Sequence, residues 1–81
     1  MFTIIFNYSA IESFVYSRLN MAKQSPIEWV DDLEAQAFGV IDFAMRECYK
    51  VQPDLCDKIA EMWENEWKEM FWDIRYQKAI Q

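Results

Sequence analysis

Three helix-start signals divide the chain, and between them they leave little room for any other kind of fold. Ser25-Pro26-Ile27-Glu28 reads as a capping box with proline at the first helical position. The serine hydroxyl accepts a backbone N–H, the glutamate reaches back, and proline loses nothing where its missing N–H would be unpaired anyway. Ser9-Ala10-Ile11-Glu12 repeats the box without proline, and Pro53-Asp54-Leu55-Cys56-Asp57 offers an aspartate N-cap followed by a second acid. Three starts predict three helices.

Apolar spacing gives each helix a buried stripe. Residues 9–23 carry Ile11, Phe14, Val15, Leu19 and Ala22 at helical intervals. Residues 26–50 carry Val30, Leu33, Ala37, Val40, Ile41, Ala44 and Cys48, and residues 54–79 carry Cys56, Ile59, Ala60, Trp63, Trp67, Met70, Phe71 and Ile74. Connections of a few residues force neighbouring helices to run antiparallel. The expected fold is all-α: a small three-helix bundle in one domain, since 81 residues hold a single core. The single glycine, Gly39, costs the second helix roughly 1 kcal/mol relative to alanine and marks a close approach by a neighbouring helix. Residues 1–8 form a short N-terminal arm. Thr3, Ile4 and Ile5 favour a strand and Phe2, Ile4, Phe6 and Tyr8 alternate, yet the chain has no second strand to pair with them. The arm therefore extends the first helix, packs as an extended segment, or pairs with another chain.

Composition removes most chemistry. Fourteen acids against eight bases give a net charge of −6, which argues against direct nucleic-acid binding, because neutralising phosphates needs a basic face. With no histidine, a serine or cysteine nucleophile has no recognisable base; one glycine cannot build a phosphate loop, and two cysteines cannot make a structural zinc site. No cofactor and no resident metal are expected. The N-terminal apolar run is broken by Asn7, Ser9 and Glu12, so neither a secretory signal nor a membrane span is expected. A cytoplasmic location follows, with Cys48 and Cys56 as free thiols; a tight turn near Gln52 would bring them face to face, but the favoured reading is two small buried hydrophobes.

Paired carboxylates are the one enzymatic opening. Glu28-x-x-Asp31 and Glu61-x-x-Glu64 each set two acids on one helix face, a spacing suited to Mg²⁺. In these four positions the chain resembles the all-α nucleotide pyrophosphohydrolases of the MazG-like family, which pair ExxE with a following ExxD; here the order is reversed. The resemblance implies a Mg²⁺-dependent hydrolase. Asp54-x-x-Asp57 and Glu66-x-x-Glu69 have the same spacing, as acids do on any solvated acidic helix.

The third helix carries the most informative surface. At 100° per residue, Asp57, Glu61, Glu64, Lys68 and Arg75 fall on one flank, with Asp54–Lys58 and Glu64–Lys68 as stabilising i, i+4 pairs. That flank reads as ordinary solvated surface. The opposite flank gathers Met62, Glu66, Glu69, Asp73 and Tyr76, with Trp72 close by, and Glu69 and Asp73 are like charges one turn apart. Exposed aromatics among unpaired acids suit docking, because aromatic anchors dominate interfaces and a negative rim selects a basic partner. The alternative is that Trp72 and Tyr76 pack against the first helix or the arm. Fourteen aromatics could bury on the order of 2,000 to 3,500 Å², more than a domain of this size readily hides.

The second helix has its own surplus in Ile27, Phe38, Met45 and Tyr49, with Trp29 near its start. Its two neighbours in the bundle cover that arc, or a homodimer does. The leading expectation is a non-catalytic binding module that sits on a basic surface of a larger partner, with Met62, Glu66, Glu69, Trp72, Asp73 and Tyr76 as the docking residues. In size, acidity and lack of catalytic residues the chain is similar to the small inhibitors that bacteriophages direct against host or defence proteins; that likeness implies an inhibitor of a nucleic-acid-binding protein. A structural or regulatory homo-oligomer is the alternative, and the hydrolase stands third.

Overall fold

Asn7, not Ser9, begins the first helix. In the computed structural model, which describes residues 5–80, helix α1 runs Tyr8–Gln24, and Asn7 Oδ1 accepts the Ala10 N–H at 3.2 Å from extended backbone. An Asn side chain there satisfies one of the orphaned N–H groups of the first turn, and Ser9 falls inside the helix. Ser25 also has a different role from the one its motif suggests. Its N–H bonds Ala22 O at 3.4 Å and its hydroxyl donates to Met21 O at 2.7 Å, so it closes α1. No side-chain cap bond forms at the start of the next element. Instead Pro26 redirects the chain, one turn of 3-10 helix follows at Ile27–Trp29, and α2 runs Val30–Cys48.

The third helix is continuous but not uniform. It consists of α3, Pro53–Met62, a π turn, Trp63–Trp67, and α4, Lys68–Ala79. Pro53 takes the first helical position, and Gln52, not the expected Asp54, occupies the N-cap position without a side-chain cap bond. The π turn has a cause in the sequence. Ile59, Trp63, Trp67 and Phe71 are its buried residues and recur every four positions, whereas an α-helix repeats every 3.6, so this stripe would drift by about 120° over its length. A π turn takes up one extra residue, equivalent to about 100°. The remaining drift is about 20°, and all four side chains face one core.

Cross-helix contacts fix the directions. Arg18 meets Gln36, Phe38 meets Trp63, and Arg75 meets Asp31, so α2 runs antiparallel to both α1 and the third helix. Tyr8 stacks on Trp67 while Lys78 reaches Lys23 O at 3.0 Å, so α1 and the third helix are parallel. The product is an all-α three-helix bundle measuring 49 × 22 × 17 Å. Its centre is Val15, Leu19, Ala37, Ile41, Ala44, Ile59, Trp67 and Phe71. Truncating a fully buried residue such as Trp67 or Phe71 to alanine costs about 3 to 5 kcal/mol, which outweighs the roughly 1 to 3 kcal/mol of burying the Trp67 indole N–H without a partner. Gly39 is exposed, and a Cβ there would meet nothing within 4 Å. It marks no close helix approach.

The arm, over residues 5–7, is neither helix nor strand. Gln52 holds it: the Phe6 N–H donates to Gln52 Oε1 at 2.8 Å, and Gln52 Nε2 donates to Phe6 O at 2.9 Å. Phe6 packs edge-on against Phe43 at 5.9 Å between ring centroids. The strand-like residues Phe2, Thr3 and Ile4 lie outside the described residues. Among the described residues, no helix is long and apolar enough to cross a membrane.

Candidate functional site

Residues on α4 divide into three bands set by the helix repeat. Phe71 is buried and Ile74 half-buried against the core; Lys68, Trp72 and Arg75 lean toward α2; Glu69 and Tyr76 point away from both neighbours. Trp72 is 59% exposed and Tyr76 63%. Neither ring packs into the bundle. Glu69 and Asp73 are exposed, and among the described residues neither forms a salt bridge.

Arg75 is the residue that the sequence misplaced. Expected on a solvated flank with Lys68, it is half-buried and joins α4 to α2. Its Nε and Nη2 donate to Asp31 Oδ1 at 3.0 and 2.6 Å, and Nη2 also donates to Glu34 Oε1 at 2.6 Å. The same guanidinium lies 4.9 Å from the centroid of the Trp72 ring. Desolvation opposes the Arg75 charge, but the Glu34 and Asp31 carboxylates more than offset it and raise its pKa. Trp72 is thus supported from one side by a fixed cation and remains more than half exposed.

The six docking candidates do not share one patch. Glu69, Trp72, Asp73 and Tyr76 lie together on α4. Asp73 also borders an open cleft of about 260 Å³ between α1 and α4, lined by Tyr16, Leu19, Lys23, Met70 and Ile74. Met62 is half-buried and packs on the core. Glu66 is exposed, and its charge, after burial and Glu12, helps raise the pKa of Tyr8 on α1. The π turn separates the two groups, because a uniform 100° step no longer holds across residues 63–67. The expected Asp54–Lys58 pair is replaced as well: the Lys58 ammonium sits 3.9 Å from the Tyr8 ring centroid. Glu64–Lys68 forms at 2.8 Å, and its carboxylate raises the Lys68 pKa.

On α2, Met45 is half-buried against the core, and Phe38 tilts onto Trp63 at 5.3 Å while remaining 44% exposed. Trp29 and Tyr49 stay exposed. Phe43, which the apolar stripes of the sequence did not single out, is exposed beside the arm, near Ile5 and Val51 at the same end of the bundle.

The four carboxylates of the hydrolase-like pattern are spread along the bundle. Asp31 bonds Arg75, eleven residues from Glu64, which is about 16 Å along a helix, and Glu64 is held by Lys68. Among the described residues no three His, Cys, Asp or Glu side chains are grouped to hold a metal ion. Cys48 is buried and Cys56 half-buried, both as free thiols. Burial and the adjacent Cys56 raise the Cys48 pKa above its ordinary 9.0. No protein-family model matches the chain, and no curated protein or solved structure proved similar to it.

Proposed function

We propose that this protein is a non-catalytic binding module whose α4 face docks on a basic surface of a larger protein. The observation that carries the reading is the exposure of Trp72 and Tyr76, at 59% and 63%, beside the carboxylates of Glu69 and Asp73, which form no salt bridge among the described residues. Two large rings left in water are a cost to a monomer and an anchor to a complex, because tryptophan and tyrosine supply much of the energy of protein interfaces. The −6 net charge steers the module toward positive surfaces. A basic surface of that kind often serves nucleic acid, and a protein seated there would act as a competitive inhibitor.

Affinity capture tests the reading. The wild-type protein, used as bait in a native lysate of the cells that produce it, should retain a protein with a basic surface that rebinds in purified form and associates more slowly at higher salt. Trp72→Ala combined with Glu69→Lys should lose that partner while keeping full helicity by circular dichroism. Equal retention by the variant overturns the docking face.

A second reading has its own support at the opposite end of the bundle. Ile5, Phe43, Tyr49 and Val51 are each more than half exposed, and self-association through that end would make the protein a homo-oligomer with a structural or regulatory role. Light scattering across a concentration series separates the two.

A further inference from the structure

The docking face also indicates the chemistry of the side chain it receives. We propose, building on the docking reading above, that the Trp72–Tyr76 face is a seat for arginine: a guanidinium of the partner stacks on the open aromatic surface and bonds the Glu69 and Asp73 carboxylates. The bundle contains a worked instance of this arrangement. Arg75 lies over the Trp72 ring at 4.9 Å while two carboxylates, Asp31 and Glu34, take its N–H groups at 2.6 Å. One ring and two acids there surround a guanidinium that α4 itself carries. Trp72 and Tyr76, one helical turn apart, present rings outward with Glu69 and Asp73 on the same face.

Charge complementarity identifies the occupant as a partner's cation. Six of the protein's eight Lys and Arg side chains are already committed, and the other two, Lys23 and Lys78, border the α1–α4 cleft with Asp73 but form no salt bridge among the described residues. Arg18, Lys50, Lys58 and Arg75 each sit over an aromatic ring, while Arg46 pairs with Asp42 and Lys68 with Glu64. The positive charge of Arg75 does not repel a second guanidinium strongly, because Asp31 and Glu34 outweigh it by one unit. Glu69 and Asp73 are left without a salt bridge among the described residues. Arginine suits the seat better than lysine for a physical reason: its planar, weakly hydrated guanidinium stacks on a ring and still offers donors at its edge, whereas an ammonium keeps its water.

The test uses two labelled decapeptides of equal charge, one with five arginines and the other with five lysines, titrated with the purified full chain at 150 mM salt by fluorescence anisotropy. The arginine peptide is expected to bind about fivefold tighter, and Trp72→Ala with Tyr76→Ala should bring the two affinities together without changing helicity. A preference that survives in that variant overturns the seat. Equal binding of both peptides, abolished by Glu69→Lys with Asp73→Lys, overturns the arginine seat and leaves the acidic docking face standing. Binding of neither peptide overturns both readings, as does a dimer by light scattering in which hydroxyl-radical footprinting finds Trp72 protected.

Discussion

Replacing Arg75 with methionine keeps an aliphatic stem beside Trp72 and removes every bond that the guanidinium makes to α2. The two carboxylates it leaves differ sharply in worth although both lie 2.6 Å away. The Asp31 side chain is 81% exposed, so water and salt screen its share to well under about 1 kcal/mol. The Glu34 side chain is 21% exposed and that of Arg75 20%. Removing Arg75 strands the Glu34 charge in a mostly covered position, at a cost of about 1.5 to 3 kcal/mol for a charged hydrogen bond. The expected loss for Arg75→Met is about 2 kcal/mol, a fall in Tm of roughly 8 to 16 °C for a domain of this size. Guanidinium denaturation of the single variants and of the Arg75→Met/Glu34→Gln and Arg75→Met/Asp31→Asn doubles closes two mutant cycles. The Glu34 coupling should exceed that of Asp31 several-fold. Equal couplings, or a loss for Arg75→Met below about 0.5 kcal/mol, would refute the argument that burial, and not distance, sets the strength of this bridge.

Gly39→Ala should stabilise the protein by about 1 kcal/mol, read as a higher denaturant midpoint with unchanged slope, because α2 gains a better helix former and the new methyl meets nothing. Gln52→Ala removes both bonds to Phe6 and should cost about 1 to 2 kcal/mol; hydrogen exchange at the Phe6 amide should rise sharply while the centre of α2 stays protected. Stability should decline as pH rises above about 9. Folding raises the pKa of Cys48 from 9.0 and of Tyr8 from 10.0, so the unfolded chain releases those protons first and gains on the native state as pH rises. Cys48→Ala with Tyr8→Phe should flatten the alkaline limb of a pH series of denaturation midpoints.

The number of helices was legible because Pro26 and Pro53 admit few alternatives, and the buried stripes followed from spacing alone. The roles of the capping residues were harder to read. Ser25 stands between two helices with equal local chemistry toward each, and its hydroxyl bonds backward to Met21 O. Asn7 competes with Ser9 for one helix start, and the Asn side chain takes the bond to Ala10. On the candidate site, a wheel drawn at a constant 100° grouped Glu69, Trp72, Asp73 and Tyr76 on α4, but it also brought in Glu66 from within the π turn and Met62 from its far side. The strict four-residue repeat of Ile59, Trp63, Trp67 and Phe71 is the sequence signal that reveals the extra residue. Arg75 was not legible from its own helix, since its partners Asp31 and Glu34 lie more than forty positions away, and such pairings depend on how the helices cross.

Hydroxyl-radical footprinting, read residue by residue by mass spectrometry on the purified chain, tests most directly whether the rings of α4 stand in water. Trp72 and Tyr76 should be oxidised about as fast as the exposed Trp29, while Trp63 and Trp67 stay protected by the core. Protection of Trp72 and Tyr76 to the level of Trp67 would contradict the account.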